Sequence, residues 1–154
     1  MKLYTIASGS SGNCVCVQTE EACILVDAGI TAKRIEAGLA AMGVELSRLD
    51  AILVTHEHID HVRGIEVITK KYPIPVYGTK ETLQEYCRSI KQAAQFERLM
   101  RFVEPGESFS IKDIVADTFS ISHDAGNPIG YTFAANGHKI GMATDLGCYD
   151  ENTL

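Results

Sequence analysis

The densest group of potential metal ligands in this 154-residue chain is the segment His56-Glu-His-Ile-Asp-His61. Three of the chain's five histidines and one aspartate fall within these six residues. Protonated imidazoles repel one another, so they converge only where something compensates for the crowding. Histidine nitrogen and carboxylate oxygen are common ligands of zinc and similar divalent ions. The spacing therefore favours metal binding by His56, His58, Asp60 and His61.

Further candidate ligands follow other predicted strands. His123 comes directly after the alternating segment Ser120–Ser122, and Asp145 follows the second strand of a predicted hairpin. Asp27 closes an earlier apolar strand in the same manner. A carboxylate there could orient a ligating imidazole from behind, or it could simply form a turn. We expect His123 and Asp145 to meet the segment that begins at His56, and both roles stay open for Asp27.

The elements that must position these residues alternate between strand-like and helix-like segments. Ala51–Thr55 is a short apolar run, typical of a buried strand, and it stops where the histidines begin. Other segments with strand composition are Lys2–Ile6, Cys14–Gln18, Ala22–Val26, Pro75–Tyr77, Ser108–Ile111 and Val115–Ser122. The last two predicted strands, Ile129–Ala135 and His138–Thr144, flank Asn136-Gly137, which favours a type I′ hairpin turn.

Helical patterns separate several of these strands. One predicted helix begins with Thr31 as its N-cap. After the histidine segment, apolar residues keep helical spacing over residues 62–71. The longest predicted helix covers Lys80–Met100, with a capping box of Thr82 and Glu85 if it begins slightly later. Interleaved strands and helices, followed by a β-rich second part, predict a layered α/β or α+β domain.

Composition and charge are those of an ordinary globular protein. Hydrophobic residues make up 45% of the chain and charged residues 22%, and no apolar run approaches the ~20 residues of a membrane-spanning helix. The five cysteines lack CxxC spacing and are expected to be reduced thiols. Since the N terminus also lacks the apolar core of a signal peptide, we expect a cytoplasmic protein with no membrane partner. The net charge of −6 counts mildly against a nucleic-acid partner, although metal ions can supply the positive charge that phosphate needs.

Competing motifs fit less well. A zincin HExxH motif would need a histidine at position 60, where the chain has Asp60. The loop Ser8–Asn13 lacks the lysine of a P-loop and does not form GxSxG, so we expect a flexible turn that could border the site. The pair His123-Asp124 suggests a helical HD-type phosphohydrolase, but here it follows a strand pattern.

The ligand pattern resembles that of the metallo-β-lactamase fold superfamily. The motif His56-x-His58-x-Asp60-His61, preceded by Asp27-Ala-Gly29 and followed by His123 and Asp145, carries the resemblance. Two further segments, Ala7–Asn13 and His123–Tyr131, are similar to the bacterial YycJ/WalJ-type branch. The similarity runs along essentially all of this chain but covers only the first part of the family's length.

The resemblance implies an α+β fold, the αββα sandwich of the superfamily, formed by a single domain over residues 1–154. It also implies two divalent ions, with zinc favoured and manganese or iron as alternatives. His56, His58 and His123 would hold the first ion, Asp60 and His61 the second, and Asp145 would bridge both. The family's last metal-binding histidine lies in the second half of the fold, and no histidine follows Asp145 here. We therefore expect the C-terminal part of the sandwich to be missing and the second ion to bind weakly.

For function, the resemblance implies a phosphodiesterase-like nuclease with 5′-to-3′ exonuclease action, on DNA rather than RNA. A hydroxide shared by the two ions would attack phosphorus, and Asp60 would help to hold it. Two alternatives stay open. The substrate could be a thioester or a lactam, or the chain could be a non-catalytic metal-binding remnant.

Overall fold

Two β-sheets lie face to face, and helices cover one of them, in the computed structural model, which describes residues 1–145. The larger sheet has six strands, hydrogen-bonded in chain order: β1 (Lys2–Ala7), β2 (Cys14–Gln18), β3 (Cys23–Val26), β4 (Ala51–Leu53), β5 (Val76–Gly78) and β6 (Met100–Phe102). The smaller sheet has four, again in chain order: β7 (Ser108–Ile111), β8 (Ile114–Ser120), β9 (Ile129–Ala135) and β10 (His138–Met142).

The strand directions in the larger sheet bring several loops to one edge. Strands β1, β2 and β3 pair antiparallel, whereas β3, β4, β5 and β6 run parallel. Parallel strands need crossover connections. These contain α1 (Ala32–Ala41) and a 3-10 turn (Leu46–Arg48), then α2 (Ile59–Val62) and α3 (Ile65–Lys71), and finally α4 (Lys80–Ser89) and α5 (Ala93–Glu97). The carboxyl ends of β3, β4 and β5 therefore share one edge, the usual place for a ligand in an open α/β sheet.

Alternation along the buried strands divides their side chains between two apolar cores. In β3, Cys23 and Leu25 belong to the core beneath the helices, whereas Ile24 and Val26 belong to the core between the sheets. Both faces of the strand are therefore buried, which explains why it reads as a continuous apolar run. The described residues form helix, sheet and sheet layers, three of the four in the predicted αββα sandwich.

Two local sequence signals act as predicted: one begins helix α1, and the other forms the turn between β9 and β10. Thr31 is the N-cap of α1, and its side chain accepts a hydrogen bond from the N–H of Arg34 at 3.4 Å. Asn136 and Gly137 have φ angles of 51° and 75°. Both central residues of the hairpin turn thus adopt the left-handed conformation that a type I′ turn requires. The first helix and the hairpin are therefore confirmed.

The predicted helix Lys80–Met100 is wrong. Helices α4 and α5 are separate, and strand β6 follows them. The chain leaves α4 because Ile90 has an extended backbone, and the carboxylate of Glu66 then accepts hydrogen bonds from the N–H groups of Lys91 and Gln92, at 2.9 and 3.1 Å. Glu66 lies on α3, so the apolar spacing of the 80–100 segment contains no signal for this contact.

Two other helix predictions need correction. The N-cap of α4 is Thr79, which accepts from the N–H of Thr82 at 3.4 Å, so the predicted capping box of Thr82 and Glu85 does not form. The helical run over residues 62–71 is interrupted at Gly64. The N–H of Gly64 donates to the carbonyl oxygen of Ala28 at 2.8 Å, outside any helix. This tertiary contact separates α2 from α3.

The cysteines agree with the predicted reduced state where the structure describes them. Cys14, Cys16, Cys23 and Cys87 are buried free thiols, and Cys148 lies outside the described residues. None of the helices within residues 1–145 has the length and apolar character needed to cross a bilayer.

Gly29 is the point where three backbone segments cross. Its N–H donates to the carbonyl oxygen of Asn13 at 2.8 Å, and the N–H of Asn13 donates to the carbonyl oxygen of Asp60 at 2.7 Å. A Cβ atom on Gly29 would overlap the carbonyl group of Asp60. Only a residue without a side chain fits at this close approach.

Gly29→Ala is expected to destabilise the fold by at least about 2 kcal/mol, because the Asp60 or the Asn13 segment must move and lose backbone hydrogen bonds. Gly141→Ala is the matched control, since among residues 1–145 a Cβ there would approach only the Cγ2 atom of Thr132, at 3.8 Å. Its expected effect is within about 0.5 kcal/mol. Urea unfolding followed by circular dichroism measures both variants. Equal free energies of unfolding for the two variants would contradict the claim that the backbone contact at Gly29 leaves no space for a side chain.

Candidate metal centre

Asp27 joins the ends of two neighbouring parallel strands. It follows β3 with a φ angle of 59°, a left-handed conformation that is uncommon for residues other than glycine. Its N–H donates to the carbonyl oxygen of Leu53 at 2.8 Å. Its buried carboxylate accepts hydrogen bonds from the N–H and the hydroxyl of Thr55, both at 2.9 Å. The ends of β3 and β4 are thereby held together.

The same carboxylate holds the imidazole of His61. The Oδ2 atom of Asp27 lies 2.7 Å from Nδ1 of His61, and both side chains are buried. Nδ1 therefore carries a proton, and Nε2 is the nitrogen available to another partner. Burial alone would lower the pKa of His61, but Asp27, with Asp60 and Asp145, raises it above its ordinary value.

Four imidazoles converge at this edge of the sheet. His56 follows β4, His58 and His61 lie at α2, and His123 comes from the loop between β8 and β9. The ring centroid of His56 is 4.6 Å from that of His58, 4.0 Å from that of His61 and 4.7 Å from that of His123. Nε2 of His123 lies 3.4 Å from Nδ1 of His58. Both sheets thus contribute histidines to one site.

Asp145 lies between the histidines. Its Oδ2 atom is 2.8 Å from Nε2 of His61, 3.5 Å from Nε2 of His56 and 3.9 Å from Nε2 of His123. Asp60 adds a second carboxylate, with Oδ2 3.5 Å from Nε2 of His61. The structure therefore brings together all six residues for which the sequence predicts metal binding.

These side chains form two overlapping groups of potential ligands. One consists of His56, His58 and His123, and the other of His56, His61 and Asp145; within each group the ligand atoms lie within 4.8 Å of one another. The first group is the set predicted for the first ion. Asp145 approaches histidines of both groups.

The protonation of the histidines suits a bound cation. Burial, together with the neighbouring imidazoles of His61, His58 and His123, lowers the pKa of His56 to about 3, so its ring is neutral at pH 7. Its Nε2 atom is buried and makes no hydrogen bond to any residue in the range 1–145. Nε2 of His61 faces two carboxylate oxygens. Without an ion, the raised pKa of His61 lets a proton on Nε2 meet these oxygens, and a divalent ion that suits this donor set could replace that proton.

Two residues at the site have no role assigned from the sequence. The hydroxyl of Thr55 contacts Nδ1 of His56 at 3.1 Å as well as the Asp27 carboxylate. Nδ2 of Asn13 lies 3.1 Å from Nε2 of His61, so the loop Ser8–Asn13 does border the site. In the sequence, Thr55 has the features of the last residue of an apolar strand. Its position beside Asp27 follows only from the pairing of β3 with β4.

Known proteins resemble this chain in sequence or in fold. A family model described as the beta-lactamase superfamily domain matches residues 23–154. The exodeoxyribonuclease YycJ of Bacillus anthracis is 37% identical over 142 residues, which cover 92% of this chain and 53% of that protein. The exodeoxyribonuclease WalJ of Streptococcus pneumoniae serotype 2 (strain D39 / NCTC 7466) is 36% identical over 146 residues, which cover 95% of this chain and 54% of that protein.

Among solved structures, a metallo-β-lactamase of Cronobacter sakazakii with a HARLDQ motif has a TM-score of 0.78. The alignment covers 94% of this chain and 56% of that chain, and at 16% identity the likeness concerns the fold alone. The chain spans about half the length of the curated relatives it matches. From the extent of the family match and the identity to these relatives, the chain belongs to the metallo-β-lactamase superfamily and has the predicted fold of that superfamily.

Proposed function

We propose that this chain carries the metal centre of a hydrolase that cleaves phosphodiester bonds, as a 5′-to-3′ exonuclease acting on DNA. The observation that carries the proposal is the convergence of imidazoles and carboxylates around the buried, unpartnered Nε2 atom of His56 within residues 1–145. The similarity to two proteins called exodeoxyribonucleases supports a DNA substrate.

Two divalent ions are part of this proposal, with zinc favoured and manganese or iron as alternatives, because imidazole and carboxylate ligands suit all three metals. When bound, such ions lower the pKa of water and stabilise negative charge on a phosphoryl oxygen. The residues proposed to hold one ion are His56, His58 and His123, and those proposed for the other are Asp60 and His61, with Asp145 between the two.

The chain's own side chains would prepare the site for this chemistry. Asp27 fixes the tautomer of His61 through Nδ1, so that ring offers Nε2 to the centre. Burial keeps the ring of His56 neutral. The side chain of Asp60 is 27% exposed and can accept a hydrogen bond from the water molecule that attacks phosphorus. Asp60 is therefore the residue we propose to hold the nucleophile.

The negative charge of a nucleic-acid substrate must be met locally. With a net charge of −6, the chain has no overall excess of positive charge to attract DNA. Metal ions would then be the main source of positive charge near the scissile phosphate. This charge balance favours a substrate that is held at its reacting phosphate rather than along a basic surface.

Hydrolysis of bis-p-nitrophenyl phosphate by the purified chain is expected to require a divalent ion. His58→Ala and Asp145→Ala should each lower the rate by at least about 100-fold, because each removes a ligand from a different group. His138→Ala is the matched control, since His138 is exposed on the β9–β10 hairpin, and it should keep the parent rate. Absorbance of p-nitrophenol gives the rate, and release of nucleotides from 5′-labelled DNA tests the direction of digestion.

Parallel assays with nitrocefin and a glutathione thioester separate the alternative functions. Turnover of either compound without phosphodiester cleavage would assign the chain to lactam or thioester hydrolysis. Zinc binding with no turnover of any substrate would support a non-catalytic metal-binding role. Phosphodiester cleavage that survives His58→Ala at the parent rate would rule out the proposed centre.

Asp27→Asn is expected to weaken zinc binding by about 10- to 100-fold, because the amide no longer holds the His61 ring with a full negative charge. Competition with a chromophoric chelator measures the affinity. Asp124→Asn is the matched control, because this exposed carboxyl lies next to His123 in the chain and should leave zinc affinity unchanged. An equal loss in both variants would show that net charge, and not the contact with His61, determines the affinity.

A further inference from the structure

Glu57 lies between two proposed ligands in the sequence, yet its carboxylate contacts two other segments. Its Oε1 atom accepts a hydrogen bond from the N–H of Gly126 at 2.9 Å, and its Oε2 atom accepts one from the hydroxyl of Thr82 at 3.3 Å. Gly126 belongs to the β8–β9 loop, whereas Thr82 is buried in the first turn of α4. One side chain therefore connects the histidine segment, the loop that carries His123 and a helix.

The β8–β9 loop has no regular structure of its own and depends on contacts of this kind. The carbonyl oxygen of Asn127 accepts from the hydroxyl of Thr79 at 2.9 Å, and the Asn127 amide donates to Glu81 at 3.3 Å. Glu81 is exposed, whereas Glu57 is partly buried. Gly126 is three positions after His123. The position of the Gly126 amide thus limits where the His123 imidazole can lie.

The imidazoles need an external restraint because they gain little from approaching one another. The ring centroids of His58 and His123 are 5.1 Å apart, and the polar contact between the two rings, from Nε2 to Nδ1, is long at 3.4 Å. A hydrogen bond from a backbone N–H to a carboxylate is stronger than one to a neutral acceptor. The bond between Gly126 and Glu57 is therefore suited to hold the loop that carries His123 in place.

We propose that Glu57 is a positioning residue that preassembles the three-imidazole group of His56, His58 and His123. It fixes the Gly126 amide and so places His123 with its Nε2 atom 3.4 Å from Nδ1 of His58. His58 directly follows Glu57, so both sides of the group are anchored to one short segment. The inference rests on the proposed metal centre and adds to it a residue that touches no ion.

The test compares Glu57→Ala with Glu57→Gln in the full chain. Alanine removes both hydrogen bonds, whereas glutamine keeps an oxygen that can accept from Gly126. Zinc affinity, measured by chelator competition, is expected to fall by about 10- to 100-fold in Glu57→Ala and by less than about threefold in Glu57→Gln. Thr82→Val removes only the contact with Oε2 and should behave like the glutamine variant.

NMR of the metal-free protein supplies a readout that does not depend on zinc. A nuclear Overhauser contact between the rings of His58 and His123 is expected in the parent chain and in Glu57→Gln, and it should be lost in Glu57→Ala. Urea unfolding verifies that each variant is folded. If alanine prevents folding, Glu57→Leu replaces it, because its side chain fills more of the space and also accepts no hydrogen bond.

Parent-level zinc affinity or a retained ring contact in a folded Glu57→Ala or Glu57→Leu variant would overturn the positioning role. If the parent chain bound no zinc but lost the ring contact on substitution of Glu57, the proposed metal centre would fail and the positioning role would stand. The two results therefore distinguish failure of the inference from failure of the proposed function.

Discussion

The hydrogen bonds of the buried Asp27 carboxylate are the interaction on which the rest of the site depends. They join the end of β3 to Thr55 at the end of β4, and they fix the His61 ring. Parallel pairing of these strands brings both ends to one edge of the sheet, so the contact follows from the topology. Burial raises the pKa of this carboxyl, and three hydrogen-bond donors offset part of the cost of burying its charge.

The packing of the two sheets is the second requirement, because the proposed ligands come from both. His56 follows β4 of the larger sheet, whereas His123 follows β8 and Asp145 follows β10 of the smaller one. The core between the sheets holds these elements together, and the hydroxyl of the buried Tyr131 donates to the carbonyl oxygen of Val54 across it at 2.8 Å. Loss of this packing would separate the histidines even if every proposed ligand residue were still present.

Short-range patterns in the sequence predict the features that neighbouring residues determine. Histidine spacing indicates the ligand segment, and Asn136-Gly137 predicts the hairpin because both residues tolerate positive φ. The break after α4 escapes prediction because Glu66 holds the backbone from another helix. Thr55 and Asn13 escape it for the same reason, since their partners Asp27 and His61 lie 28 and 48 residues away. Prediction therefore fails where tertiary contacts decide the local structure.

The metal centre is tested most directly by anomalous diffraction at the zinc absorption edge, from crystals of this chain grown with zinc. We expect a peak about 2.0–2.1 Å from ring nitrogens of His56, His58 and His123, and a second peak beside His61 and Asp145. A map with no peak at these residues, or with zinc bound only elsewhere on the chain, would contradict it.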